Sequence, residues 1–261
     1  MHQLMGKIIK HYEERPGYWR LRLKAPAIVQ EAQPGQFLMV RCTTGLAPLL
    51  RRPISIFALY PECGELELYY KIVGEGTRLL SQKAVDDVLD VVGPLGQGYT
   101  LIPEAQSIAI VGRGIGVASV FAVAQAARKQ GRRVYAFVSA RSKDLLLANK
   151  ELEELGCQVA VATDDGSTGY QGLVTDLLKE KVAQEDIKQI FICGSNRLTR
   201  AVAEIARDNG IRAQVSLEEH MACGFGVCSG CVRLIGPPGN KSYKKVCKDG
   251  PVFWVEEVVD Y

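Results

Sequence analysis

From Gly6 to about Leu101 the apolar positions fall in short runs, YWRLRLKA, GQFLMVRC, PISIFALY, ELELYYKIV and DVLDVVG, separated by turns rich in Pro and Gly. Runs of this length at this spacing predict strands of a small antiparallel barrel, with one helix, GTRLLSQKA, among them. From Gln106 the period changes. SIAIVG is followed by the helical pattern VASVFAVAQAARKQ, closed by Gly131. RRVYAFVSA, KDLLLANKELEEL, CQVAVATDD, GLVTDLLKEKV, KQIFICG, LTRAVAEIARDNG and RAQVSL then continue the alternation of strand and helix. Repeated alternation of this kind predicts a doubly wound parallel sheet covered by helices on both faces, an α/β domain. The remainder carries four cysteines, a GPPGN turn and a short strand pattern in PVFWVEEVV, and reads as a small domain held by its metal site. The expected division is 1–101, 102–215 and 216–261, with no internal repeat.

Composition narrows the functional classes. The 261 residues are 47% apolar, ample for packed cores, and 32 basic against 29 acidic residues leave a net charge of +3. That balance gives no broad attraction to nucleic acid or to an anionic membrane. The cluster Arg128, Lys129, Arg132 and Arg133 is expected to solvate a helix end. The N-terminal segment has no apolar run of signal-peptide length, and nowhere are eighteen apolar residues uninterrupted, so a cytoplasmic protein is expected. In a reducing compartment cysteines seldom form disulfides, so a cysteine cluster points to metal or redox chemistry.

Cys223, Cys228 and Cys231 give the pattern C-x4-C-x2-C, and Cys247 follows after fifteen intervening residues. Plant-type [2Fe-2S] ferredoxins use this arrangement, four thiolates holding two bridged irons. Gly224, Gly226 and Gly230 suit a loop wrapped closely around such a group. A structural zinc also takes four thiolates, usually from two C-x2-4-C knuckles, and is the competing reading. His220, three residues before Cys223, reads as a surface histidine. Cys42, Cys63 and Cys157 read as buried small apolar residues. Cys193 ends a predicted strand in FICGS, at the carboxyl edge of the sheet, where either packing or a cofactor contact fits.

Two further stretches suit phosphate-bearing cofactors. LLRRPISIF puts arginines and a serine at the start of a barrel strand, and GEGTRLL opens a helix with Gly and Thr, so that Arg52 and unpaired N–H groups could meet a pyrophosphate. IAIVGRGIGVAS places Gly112, Gly114 and Gly116 in a turn between strand and helix, spaced GxGxG rather than GxGxxG. Ser139, Arg141 and Lys143 in SARSK stand at the expected ribose end, where no acidic residue closes the strand, so charge alone leaves NADH and NADPH both open. TDDG at 163–166 reads as a turn.

In order along the chain, RRPISIF, YYKIVGEGT, GPLGQGY, TDDGSTGYQGLVTDLL, SLEEHMACGFGVCSGCV and VCKDGPVFWVEEVV resemble the motifs of the electron-transfer subunits of class 1B dihydroorotate dehydrogenases. The resemblance implies a ferredoxin-reductase-like flavin-binding barrel, a nucleotide-binding α/β domain and a C-terminal [2Fe-2S] domain. It implies FAD at Arg52, Pro53, Ile54, Ser55, Tyr69, Tyr70, Lys71, Gly76 and Thr77, and the cluster at Cys223, Cys228, Cys231 and Cys247. It also implies NAD(H) as electron donor or acceptor and, as partner, an FMN-containing dihydroorotate dehydrogenase catalytic subunit in a heterotetramer with two copies of each chain. Related subunits serving a ferredoxin, a hydrogenase or sulfur reduction are the alternative. The chain departs from the family pattern in three places. GRGIGVAS stands for GGGIGVAP, CGSNRLTR for CGPxPML, and EEHM for EERM, the first two where the dinucleotide is expected.

Overall fold

The computed structural model describes residues 1–237 and 239–258. Pro238 of the GPPGN turn, Val259 of the expected last strand and the rest of the 216–261 segment to Tyr261 lie outside the described residues. The chain forms two compact units. One comprises Met1–Gly98, Glu218–Arg233 and Tyr243–Pro251, and the other Tyr99–Leu217, Leu234–Ser242 and the chain from Val252.

In the first unit, β1 (His2–Arg15), β2 (Tyr18–Lys24), helix α1 (Pro26–Glu31), β3 (Phe37–Val40), β4 (Arg52–Tyr60), β5 (Glu65–Lys71), helix α2 (Glu75–Leu80) and β6 (Val88–Leu95) follow one another. The strands close an antiparallel barrel in the order β1-β2-β5-β4-β3-β6. Strand alternation sends Ile8, Leu21, Leu23, Leu38, Leu66, Leu68 and Val91 inward, where they are buried together. β1 is absent from the apolar runs because its inward positions include Gly6, which adds no side chain, while Met5 and Tyr12 are exposed. α2 stops at Leu80, short of the expected Ala84, and Ser81 ends it by donating its hydroxyl to the Arg78 carbonyl at 2.8 Å.

A buried arginine and a half-buried histidine brace this barrel. Arg20 lies 4.2 Å from the ring centroids of both Phe57 and Tyr69, and donates to Glu14 at 2.5 Å and Glu67 at 3.0 Å. His11 Nδ1 lies 2.7 Å from the Lys83 carbonyl and Nε2 lies 2.8 Å from the Tyr70 hydroxyl. A carbonyl only accepts, so in the neutral ring Nδ1 carries the proton and Nε2 accepts from Tyr70. Burial lowers the His11 pKa, partly offset by the Lys83 carbonyl. The folded chain therefore takes up this proton less readily than the unfolded one, whose imidazole titrates near about 6.5. The contribution is complete above that pH and is lost as pH falls through the lower folded value. Denaturant unfolding of wild type should accordingly weaken from about pH 7 to about pH 5 more steeply than that of His11→Gln, and equal slopes would refute the assignment.

The second unit contains β7 (Ser107–Arg113), α3 (Val117–Lys129), β8 (Arg133–Ala140), α4 (Asn149–Glu154), β9 (Gln158–Thr163), β10 (Tyr170–Gln171), α5 (Val174–Gln184), β11 (Gln189–Cys193), α6 (Asn196–Asp208) and β12 (Arg212–Ser216). After β12 come β13 (Val232–Ile235), β14 (Ser242–Lys245), α7 (Val246–Asp249) and β15 (Val252–Trp254). The sheet order is β10-β9-β8-β7-β11-β12-β15, parallel except that β15 pairs antiparallel with β12 through Val215 and Phe253. The final strand pattern thus completes the α/β sheet. The helix expected over KDLLLANKELEEL is broken: a single turn at Lys143–Leu145 precedes buried Leu146, Leu147 and Ala148, and α4 starts only at Asn149. Leu146 is extended and Ala148 is left-handed (φ 58°), so the helical path is interrupted between the turn and α4. The basic cluster is also less solvated than expected. Arg132 is buried and donates to the carbonyls of Ile102 and Ala105, while Arg128 donates to Leu155 and Arg132. Among the described residues no helix is long and apolar enough to cross a membrane.

Candidate redox-cofactor site

At one end of the barrel the antiparallel pairing of β4 and β5 places the start of β4 beside the end of β5, with α2 following closely. Arg52 lies across the first turn of α2, so closely that a Cβ on Gly76 would sit 2.7 Å from Arg52 Nε. Its guanidinium donates to the Leu50 carbonyl at 2.7 Å and retains further donors that suit a phosphate. Thr77 Oγ accepts from the Val73 and Gly74 amides at 3.0 and 3.3 Å and donates to the Gly74 carbonyl, so its work is to hold this loop. Register divides the other expected flavin residues between two faces. Ile54 and Tyr70 join the barrel interior, whereas Pro53 and Ser55 pair with Met39 and Phe37 on the opposite face. Tyr69 is buried edge-on against Phe57, 5.6 Å between centroids, and Lys71 is exposed, its ammonium 5.2 Å from the Tyr18 ring. The structure therefore brings Arg52, Gly76 and Thr77 together and separates Tyr69 from Tyr70.

The cysteine loop lies in the same unit. Backbone amides aim at its sulfurs: Cys228 N–H at Cys223 Sγ (3.5 Å), Gly230 N–H at Cys228 Sγ (3.5 Å) and Cys247 N–H at Cys231 Sγ (3.4 Å). Donors of this kind favour thiolates. Burial opposes ionisation of Cys223, but hydrogen bonds from Cys228, Phe225 and Val227 outweigh it and bring the thiol down to about 6. Cys247 goes the other way, to about 12, through burial and then its hydrogen-bonded neighbour Cys231. Cys223 is hydrogen-bonded by Cys228, Cys247 by Cys231, and Cys223 also acts electrostatically on Cys247, so the thiols influence one another across the site. Among the described residues no three His, Cys, Asp or Glu side chains converge as a single-ion group. Four thiols with backbone amides aimed at three of them are a donor set that fits two irons, each taking two thiolates. Lys245 Nζ donates to the Gly226 carbonyl at 2.8 Å and fastens the loop, and His220 is exposed.

Gly224 has φ +83°, and a Cβ there would overlap Met39 Cγ. Met39 is also the register partner of Pro53. The cysteine loop is therefore seated on the barrel face that carries Pro53 and Ser55. Of the three remaining single cysteines in this reading, Cys42 and Cys157 are buried as expected, and burial pushes both thiols up to about 11. Cys63 is only partly buried and donates to the Tyr60 carbonyl.

In the α/β sheet the chain runs from β7 outward through β8 and β9, then crosses to β11 on the other side of β7. The carboxyl ends of β7 and β11 therefore flank the topological switch point, where open α/β sheets bind ligands. Gly112 and Cys193 are register partners there. A Cβ on Gly116 would lie 2.5 Å from the Cys193 carbonyl oxygen, and Gly114 has φ +53°. Cys193 is buried, so it is this backbone contact that it presents to the turn. Ser195 caps α6, its Oγ accepting from Leu198 N–H at 3.3 Å, which gives the CGSN departure a structural role. Arg113 forks onto Asp164, with Nη1 to Oδ1 at 3.1 Å and Nη2 to Oδ2 at 2.7 Å.

Residues 218–259 match the model of the iron-sulfur cluster binding domain of dihydroorotate dehydrogenase B, and residues 110–204 match the oxidoreductase NAD-binding domain. The dihydroorotate dehydrogenase B (NAD(+)) electron transfer subunit of Desulforamulus reducens is 35% identical over 254 residues, covering 97% of each chain. Its counterpart from Bacillus cereus is 37% identical over 255 residues, covering 97% of this chain and 96% of that one. The chain belongs to this family of electron transfer subunits. A solved structure described as giving insights into flavin-based electron bifurcation, that of an NADH-dependent reduced ferredoxin-NADP oxidoreductase, is also similar. It matches with a TM-score of 0.84 and 29% identity, covering 97% of this chain and 89% of that one.

For a dihydroorotate dehydrogenase B electron transfer subunit, the sequence motifs leave several residues unmarked. Met39 is one apolar residue among several in GQFLMVRC, and nothing local identifies it as the seat of the cysteine loop. Lys245 is one of four lysines in KSYKKVCK, and nothing in that stretch marks it as the fastening of the cysteine loop. TDDG does contain a turn former, but it is Asp165, whose Oδ1 accepts from the Ser167 amide and hydroxyl, while Asp164 reaches Arg113.

Proposed function

We propose that the chain carries electrons between NAD(H) and the FMN of a dihydroorotate dehydrogenase catalytic subunit, in a cytoplasmic heterotetramer with two copies of each chain. In this reading 1–101 binds FAD, 102–215 binds the nicotinamide dinucleotide and 216–261 holds the cluster. Bound FAD would supply the conversion between a two-electron hydride and single electrons, and a bound [2Fe-2S] cluster would supply single-electron conduction. The residues provide the positioning. Arg52 offers its guanidinium to the flavin pyrophosphate, Gly76 leaves the space and Thr77 fixes the loop. Pro53 and Ser55 present the barrel face against the flavin ring. The backbone of Gly112, Gly114, Gly116 and Cys193 shapes the dinucleotide crevice, and amides with Lys245 hold the four thiolates in place.

The observation that carries this reading is Met39, at once the neighbour of Pro53 and the support of Gly224, which brings the cysteine loop to the expected flavin face of the barrel. The NADH-dependent neighbour supports NADH as donor. The test is iron, acid-labile sulfide and flavin analysis of the purified chain, followed by anaerobic NADH and then addition of the catalytic subunit with orotate. Flavin with equimolar iron and sulfide, bleached by NADH and fully reoxidised on adding the catalytic subunit with excess orotate, is the expected result. Zinc without flavin, or a full cofactor complement that NADH leaves oxidised, would overturn it.

A further inference from the structure

We infer that Arg113 is a dinucleotide-binding residue, paired with Asp164 until the dinucleotide arrives and handed over to its diphosphate on binding. This rests on the reading that NAD(H) enters at the carboxyl ends of β7 and β11. Arg113 ends β7 inside the glycine turn, its Cβ 3.7 Å from where a Cβ on Gly194 would stand, so it borders both sides of the switch point. Asp164 follows β9, two strands away, and the ion pair therefore spans the carboxyl end of β8. In a doubly wound sheet the adenosine half of a dinucleotide extends from the glycine turn over this next strand. The pair lies across that path.

Three features make the exchange favourable. The guanidinium fork that fits a carboxylate also fits a phosphate, so no geometry is lost in the handover. The pair is weakly held, because the Arg113 and Asp164 side chains are 33% and 46% exposed and such pairs add little stability. A diphosphate also brings more negative charge than the carboxylate it displaces. Around the pair, Arg141 acts on the same carboxylate, Asp165 opposes it, and Ser139, the register partner of Arg113, has a buried hydroxyl without a hydrogen-bond partner among the described residues. Polar capacity at this strand end is thus not exhausted by the ion pair. Asp164 acts as an internal competitor, and apparent affinity is reduced by the fraction of molecules in which it occupies the arginine.

The two halves of one ion pair should therefore have opposite effects. ADP-ribose, which carries the diphosphate but no nicotinamide, can be titrated calorimetrically into the cofactor-loaded protein. Asp164→Asn should tighten binding about two- to fivefold by releasing Arg113. Arg113→Gly and Arg113→Gln should each weaken it about tenfold. In the Arg113→Gly background Asp164→Asn should change nothing, because there is no arginine to release. If wild type binds ADP-ribose and both single substitutions move affinity in the same direction, the pair is only a structural brace and the inference fails. No binding to wild type would remove the underlying nucleotide reading and this inference with it.

Discussion

Gly224→Ala is expected to yield a folded chain that retains flavin but has lost most of its iron and sulfide. At φ +83° an alanine carries the left-handed penalty of about 1–2 kcal/mol. The added methyl also meets Met39, which is fully buried between β4 and the cysteine loop, and overpacking of this kind costs about 1–3 kcal/mol. The least costly relaxation is for the loop to lift from the barrel, which carries Cys223 and its amide donors out of place. Three of the four expected ligands share this short loop, which leaves little tolerance for such a shift, whereas Arg52 and Gly76 are remote from it in sequence and are expected to keep the flavin site. Adding Met39→Ala should restore part of the iron, since it removes the overlap while leaving the dihedral strain. A Gly224→Ala protein with full iron and sulfide content would contradict the seating.

Arg20→Met is expected to lower global stability by about 3–5 kcal/mol, the loss typical when one member of a buried ion-pair network is removed. The Arg20 side chain is 4% exposed, and Glu14 and Glu67 are 21% and 12% exposed. Without the guanidinium two partly buried carboxylates face each other beside Phe57 and Tyr69, which also lose a cation over their rings. Denaturant unfolding measures the loss, and Arg20→Met combined with Glu14→Gln and Glu67→Gln should recover part of it by removing the stranded charges. A single substitution costing less than about 1 kcal/mol would show the network to be as weak as an exposed pair.

The barrel and the alternating α/β pattern were legible because most of their strands bury one whole apolar face, a signal with a fixed period. Where burial depended on tertiary contacts, the pattern was silent. β1 has a glycine at an inward position, the Leu146–Ala148 stretch interrupts the expected helix with extended and left-handed backbone, and β15 joins a sheet begun far earlier in the chain. The expected cluster cysteines stood out by their C-x4-C-x2-C spacing, which left zinc as a competing reading until the family motifs around them were read. Arg113 was visible as a departure, but Asp164 was not its evident partner, because a contact across two strands leaves no local trace. Pro53 and Met39 became meaningful only through their shared register.

The alternation of the C-terminal segment between the two units has an evolutionary and an engineering consequence. Residues 218–233 and 243–251 belong with the barrel, whereas 234–242 and the β15 strand belong with the sheet. The metal-binding portion is sewn through both partners rather than appended like a bead on a string. Shuffling it as a cassette onto another reductase would strip β12 of its antiparallel neighbour and bare a sheet edge open to self-association.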